Sequence, residues 1–137
     1  MNALVVLTDE HKVLRPILAR LRQVAESGPD DELAAALASA QIMLGPTLDR
    51  HIALEDLTVF PLIAQSLGES LVQIFIDDHR RIEDVRHTLY TSSGSKVRGL
   101  TLTLEDLLSD HLAREENMLF ASAEHALSPE ELDIDRS

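Results

Sequence analysis

Cysteine is absent from this 137-residue chain. That excludes disulfides, thiol catalysis, zinc ribbons and cysteine-held iron–sulfur clusters. Tryptophan is absent too, and one Tyr and three Phe are the whole aromatic complement. Val, Ile and Tyr are sparse beside Leu and Ala, a balance that favours helices over sheets. Positive charge is scarce: 12 Lys plus Arg face 24 Asp plus Glu, for a formal charge of −12 with six His neutral. A surface this acidic repels phosphate backbones and anionic lipid, so nucleic acid and membrane are poor partners. No stretch approaches the roughly 18 apolar residues of a membrane span. The opening MNALVVLTDEHK has no basic residue before its apolar run and no cleavage pattern after it. The expectation is a soluble, cytoplasmic chain. Its 45% hydrophobic content excludes a disordered acidic polymer, and its length fits one domain over residues 1–137.

Three breaks divide the chain: Gly28-Pro29, Leu67-Gly68, and the cluster from Thr91 to Ser95. Four segments with helical periodicity lie between them. The first runs from about Thr8, with Thr8 or Asp9 as its cap, to Glu26. The second runs from about Asp31 to Gln65, the third from about Glu69 to Tyr90, and the fourth from about Lys96 to Ala126. Pro16 and Gly45-Pro46 fall inside the first two segments. Kinks are expected there, because the periodicity continues across both; the alternative splits the second segment at Gly45. The tail Ser128-Pro129-Glu130-Glu131 has the residues of a short helical turn. This is the pattern of an all-α, antiparallel up-down-up-down four-helix bundle.

A weak internal duplication carries the chemistry. Asp9-Glu10-His11-Lys12 parallels Asp77-Asp78-His79-Arg80, and His51 to Phe60 parallels His111 to Phe120 at the His, Ala, Glu and Phe positions. Each half thus reads H … HxxxE, and His79 is itself followed by Glu83. Residues i and i+4 share a helix face. His51 with Glu55, His79 with Glu83, and His111 with Glu115 therefore can point together into the bundle. A carboxylate aimed into an apolar core costs several kcal/mol unless it is paired or bound to metal. Lys12, Arg50, Arg80 and Arg114 each sit one residue from a ligand candidate, which turns them away from that face. Imidazole and carboxylate without thiolate suit iron, manganese or zinc, and this many ligands suit two metals better than one tetrahedral ion. The chain lacks both the Glu-x-x-His of ferritin-like sites and H-E-x-x-H.

On these motifs the sequence resembles the hemerythrin-like, HHE cation-binding family, from about Thr8 to Leu127. The resemblance implies that His11, His51, His79 and His111 ligate iron. It also implies that Glu55 and Glu115 bridge two iron ions in an oxo- or hydroxo-bridged di-iron centre. The oxygen-carrying members have a fifth His where this chain has Glu83, taken here as one more ligand. They also end in H-x-x-x-x-D, where this chain has His111-x-x-x-Glu115. These departures argue against simple reversible oxygen carriage. Asp56, Glu116, His87, His125 and Met118 read as lying off the site, and Tyr90 as core packing. The expected partner is a small diatomic ligand or peroxide, with binding, reaction or iron handling as the function. Peroxide decomposition would need a proton donor, with Tyr90 or a protonated Glu83 as candidates. The alternative is a metal- or redox-responsive module acting on a separate, unspecified protein chain.

Overall fold

The computed structural model describes residues 1–135. Six α-helices follow in order: α1 (Ala3–Ser27), α2 (Asp30–Leu54), α3 (Phe60–Leu67), α4 (Glu69–Tyr90), α5 (Lys96–Arg114) and α6 (Ala121–Ala126). A π-helical turn, Glu55–Val59, runs α2 into α3, and a second, Glu115–Phe120, runs α5 into α6. The six helices therefore make four rods, joined by short turns at Gly28-Pro29, Gly68 and residues 91–95. Short connections fold successive rods back on one another, giving the four-helix bundle. α1 packs on α2 and α5, and α4 packs on α5 and α3. Gly68 turns the chain with φ +95°, a left-handed conformation that side chains resist. No helix among the described residues is long and apolar enough to cross a membrane.

Three local expectations need correction or refinement. The first helix starts at Ala3, five residues before Thr8. Asn2 Oδ1 caps it, accepting from the Leu4 and Val5 N–H groups at 2.9 and 3.3 Å. The Thr8 hydroxyl donates to the Leu4 carbonyl instead of capping. Secondly, the second segment is not two helices split at Gly45, because α2 runs through Gly45-Pro46 as α1 runs through Pro16. Buried leucines flank each proline, Leu14 and Leu18 in α1 and Leu44 and Leu48 in α2. Their packing offsets the one backbone bond each proline removes. Thirdly, that segment is interrupted after Leu54 by the π-helical turn. The tail does form its turn: the Glu131 N–H donates to Ser128 Oγ, and the Ser128 N–H donates to the Glu131 carboxylate.

The core has two parts. One apolar cluster is built from Leu14, Leu18, Leu48, Ile82, Leu108 and Leu112 with their neighbours. The other is built from Leu4, Leu7, Phe60, Ile63, Phe75, Leu119 and Phe120 with theirs. The buried residues His11, His51, Glu55, His79, His111 and Glu115 lie along the same rods, where one cluster gives way to the other. The Asn2 cap opens the rod that carries His11. Replacing Asn2 with Ala is expected to cost about 1 kcal/mol. A thermal melt should then drop by roughly 2–4 °C.

Candidate metal centre

Each rod brings one imidazole to a common layer: His11 from α1, His51 from α2, His79 from α4 and His111 from α5. Glu55 and Glu115 open the two π-helical turns, one turn after His51 and His111. All six side chains are buried, with Glu55 and Glu115 at 0% exposure. The four Nε2 atoms point into the layer. His11 and His51 Nε2 lie 3.2 Å apart, as do His79 and His111 Nε2. His11 Nε2 lies 3.2 Å from Glu115, and His79 Nε2 lies 3.2 Å from Glu55. His51 lies 3.3 Å from Glu55, and His111 lies 3.4 Å from Glu115. Two overlapping donor sets result: Glu55, His79, His111 and Glu115; and His11, His51 and Glu115.

The outer nitrogens are fixed as firmly. The Nδ1 of His11 meets Glu116 at 2.9 Å, and that of His51 meets Glu10 at 3.2 Å. The Nδ1 of His79 meets Asp56 at 2.8 Å, and that of His111 meets Asp78 at 3.0 Å. A carboxylate can only accept, so each Nδ1 carries the proton and each Nε2 is left to donate its lone pair. Arg15 grips Glu116 with two bonds, and Arg114 bonds Asp78. These four carboxylates were missed as functional residues in the sequence. The signal was present: each is the immediate neighbour of a ligand candidate, and Glu10 and Asp78 occupy matching places in the duplication.

The π-helical turns explain how one motif serves twice. The Phe60 N–H donates to the Glu55 carbonyl five residues back, so the turn holds one residue more than an α-turn. After it, Phe60 stacks on His79 at 5.3 Å between ring centres. Phe120 follows the second turn and stacks on His11 at 5.8 Å. Each half of the duplication thus supplies a ring to an imidazole of the other.

All four carboxylate oxygens of Glu55 and Glu115 are buried without a hydrogen-bond partner. Native interiors rarely leave such groups orphaned. Desolvation and the nearby Glu115 charge push the Glu55 carboxyl well above the usual range. Glu115 is as deeply buried, yet its neighbours Glu55, His11, His111 and His51 draw it well below that range. Burial works against charged His79 and His111, but Glu55 and Glu115 respectively override it and raise both. Four lone pairs aimed at two orphaned carboxylates are a nitrogen/oxygen donor set, and the residues fit one or more metal cations.

Glu83 does not join these donors. It is 45% exposed and pairs with Arg86 at 3.5 Å. Its side chain lines a surface cleft with Asp56, which meets the outer Nδ1 of His79, and so lies outside the two donor sets. Tyr90, the other proton-donor candidate, donates to the Leu37 carbonyl within the cluster of Leu14 and Leu18. His87 and His125 are exposed, and Met118 is 51% exposed. Asp56 and Glu116 lie outside the two donor sets, where they hold imidazoles.

Fold and site together define a helical-bundle, cation-binding protein. The model of the hemerythrin HHE cation-binding domain matches residues 2–123, and the chain belongs to that family. Comparisons with curated proteins and with solved structures return no match.

Two outcomes follow from the buried acids. The double substitution Glu55→Gln with Glu115→Gln keeps the side-chain shape and removes the buried negative charge that faces the imidazoles. The same variant should lose the rise in melting temperature that metal gives the parent. Raised groups hold protons that a metal must displace. Metal addition at neutral pH in weak buffer should therefore release about one proton or more per chain, read with a pH indicator. Affinity should fall as pH falls, because protonated Glu55, His79 and His111 compete with the metal.

Proposed function

We propose that this chain holds two iron ions and uses them to bind or react with a small ligand such as dioxygen, nitric oxide or peroxide. His11 and His51 would hold one ion, His79 and His111 the other, and Glu55 and Glu115 would bridge them. The observation that carries this reading is the pair of buried, unpartnered carboxylates facing four Nε2 atoms. Carboxylates bridge metals readily, and one tetrahedral ion would leave donors unused. The iron pair, when bound, supplies electrons and an open position for a small ligand.

The chain's own residues set the conditions. Glu10, Asp56, Asp78 and Glu116 fix the imidazole tautomers and make the rings better donors. That favours the oxidised state of a bound metal, as does a donor set in which position 83 supplies no neutral imidazole. Phe60, Phe120 and Phe75 line the imidazoles and keep water from them. The backing carboxylates favour reaction with oxygen or peroxide over storing oxygen reversibly, while the apolar lining limits that reaction to ligands small enough to enter.

Metal analysis after iron-replete expression should give about two irons per chain, as a six-donor nitrogen/oxygen site predicts. A near-ultraviolet absorption of the oxidised protein should accompany them. A value near zero, or another metal in their place, overturns the reading. Adding peroxide should consume it with gas evolution, whereas a stable, reversible oxygen spectrum would assign carriage instead.

A further inference from the structure

The duplication makes the two sides of the site comparable, and they differ in charge at the position four residues after the first His. Four residues after His11 stands Arg15; four residues after His79 stands Glu83. Both follow an imidazole backed by a carboxylate, Glu116 for His11 and Asp56 for His79. On the first side Arg15 spans Glu116 through bonds of 3.1 and 2.8 Å, covering the His11 edge. His11 is 0% exposed. On the second side an acid stands in place of the guanidinium, and among the described residues no guanidinium pairs with Asp56. Glu83 turns to Arg86, which also holds Asp49 at 2.6 Å.

A cleft of about 510 Å³ opens on that second side, between α2 with its π-helical turn and α4. His79 forms part of its wall and is, at 4%, the most exposed of the six inner donors. Asp56, Glu83 and Asp84 line it as acids, and Ile52 and Ile76 as apolar walls. Arg80 is the one basic side chain in the lining; it is 74% exposed and leans to Asp77 at 3.8 Å. Behind His79, at 3.2 Å from its Nε2, lies the unpartnered Glu55 carboxylate.

We propose that this cleft is the route by which divalent cations enter the centre, drawn in past Glu83 and Asp56 and delivered first to the His79 side. An acidic cleft with low-dielectric walls concentrates cations and speeds their arrival, by about tenfold to a thousandfold. A neutral gas gains nothing from that field, and an anion is repelled by it. On the other side Arg15 is tied to Glu116 and His11 is fully buried, so that face offers neither an unpaired acid beside His11 nor an opening to it. The route rests on the two-metal reading above and adds a direction of loading to it.

The test uses the full, metal-free chain mixed with Co²⁺ alone in a stopped-flow instrument, with visible absorbance as the readout and metal analysis at the end. Glu83→Arg places on α4 the guanidinium that Arg15 supplies on α1, within reach of Asp56. It should slow loading about tenfold or more while the final metal content matches the parent. Glu83→Gln removes the charge alone; it should slow loading less and flatten its dependence on salt. Unchanged rates in both Glu83 variants, with full final loading, overturn the route and leave the metal reading intact. A parent chain that takes up no metal overturns the metal reading, and the route with it. If Glu83→Arg fails to fold by circular dichroism, the Glu83→Gln rate and salt slope decide alone: slower and flatter supports the route, unchanged overturns it.

Discussion

The structure depends on an interaction that the bare chain cannot complete: two fully buried carboxylates set among four imidazole lone pairs. Glu55 and Glu115 sit in the same rods as the leucines and phenylalanines of two apolar clusters. Water does not reach them, and no donor satisfies their oxygens. Such a group ordinarily costs several kcal/mol. Most of the surrounding architecture can be read as holding that costly arrangement in place. The π-helical turns start at the two acids, the phenylalanines after the turns stack on imidazoles, and the outer carboxylates lock each ring by its Nδ1. Folding energy from the two apolar clusters is spent on keeping six polar groups aimed at one another, and cations recover it.

The duplication does more than repeat a motif. Glu10 backs His51 within the first half, and Asp78 backs His111 within the second. Asp56 of the first half backs His79 of the second, and Glu116 of the second backs His11 of the first. The stacked rings cross in the same way. Each half therefore lacks both a backing carboxylate and a ring until the other packs against it. The symmetry also makes its exception legible. Arg15 and Glu83 stand at equivalent places with opposite charge, so one flank closes through an ion pair and the other stays open.

The rods and the inner donors were legible because they rest on strong periodic signals. Leucines at three- and four-residue steps mark a helix face, and a His followed by Glu at four residues falls on that face whatever the neighbours are. Features set by a single bond were less legible. Asn2 as a cap depends on which of several polar residues meets the first free N–H groups, and Thr8 was the more conventional choice. The π-helical turns need one extra residue and leave no compositional mark. Glu83 shows the limit of spacing arguments: it has the right offset from His79, yet Asp56 reaches that imidazole from another rod. A carboxylate on a neighbouring rod is invisible until the rods are packed.

Charge accounting then bears on how many cations the centre suits. With both inner acids ionised, six carboxylates surround the imidazoles: Glu55 and Glu115 inside, and Glu10, Asp56, Asp78 and Glu116 outside. Two guanidinium groups, Arg15 and Arg114, pair with the outer set. Six negative charges less two positive leave four, a third of the chain's formal −12. The inner two lie in a low-dielectric layer, where charges interact most strongly, while the outer four are part-exposed and screened by water. The inner pair therefore calls for at least one divalent cation, and the outer set adds to its attraction. The acidity of the composition is therefore partly a property of the interior, where two buried carboxylates face four imidazoles and a cation is the natural counter-charge.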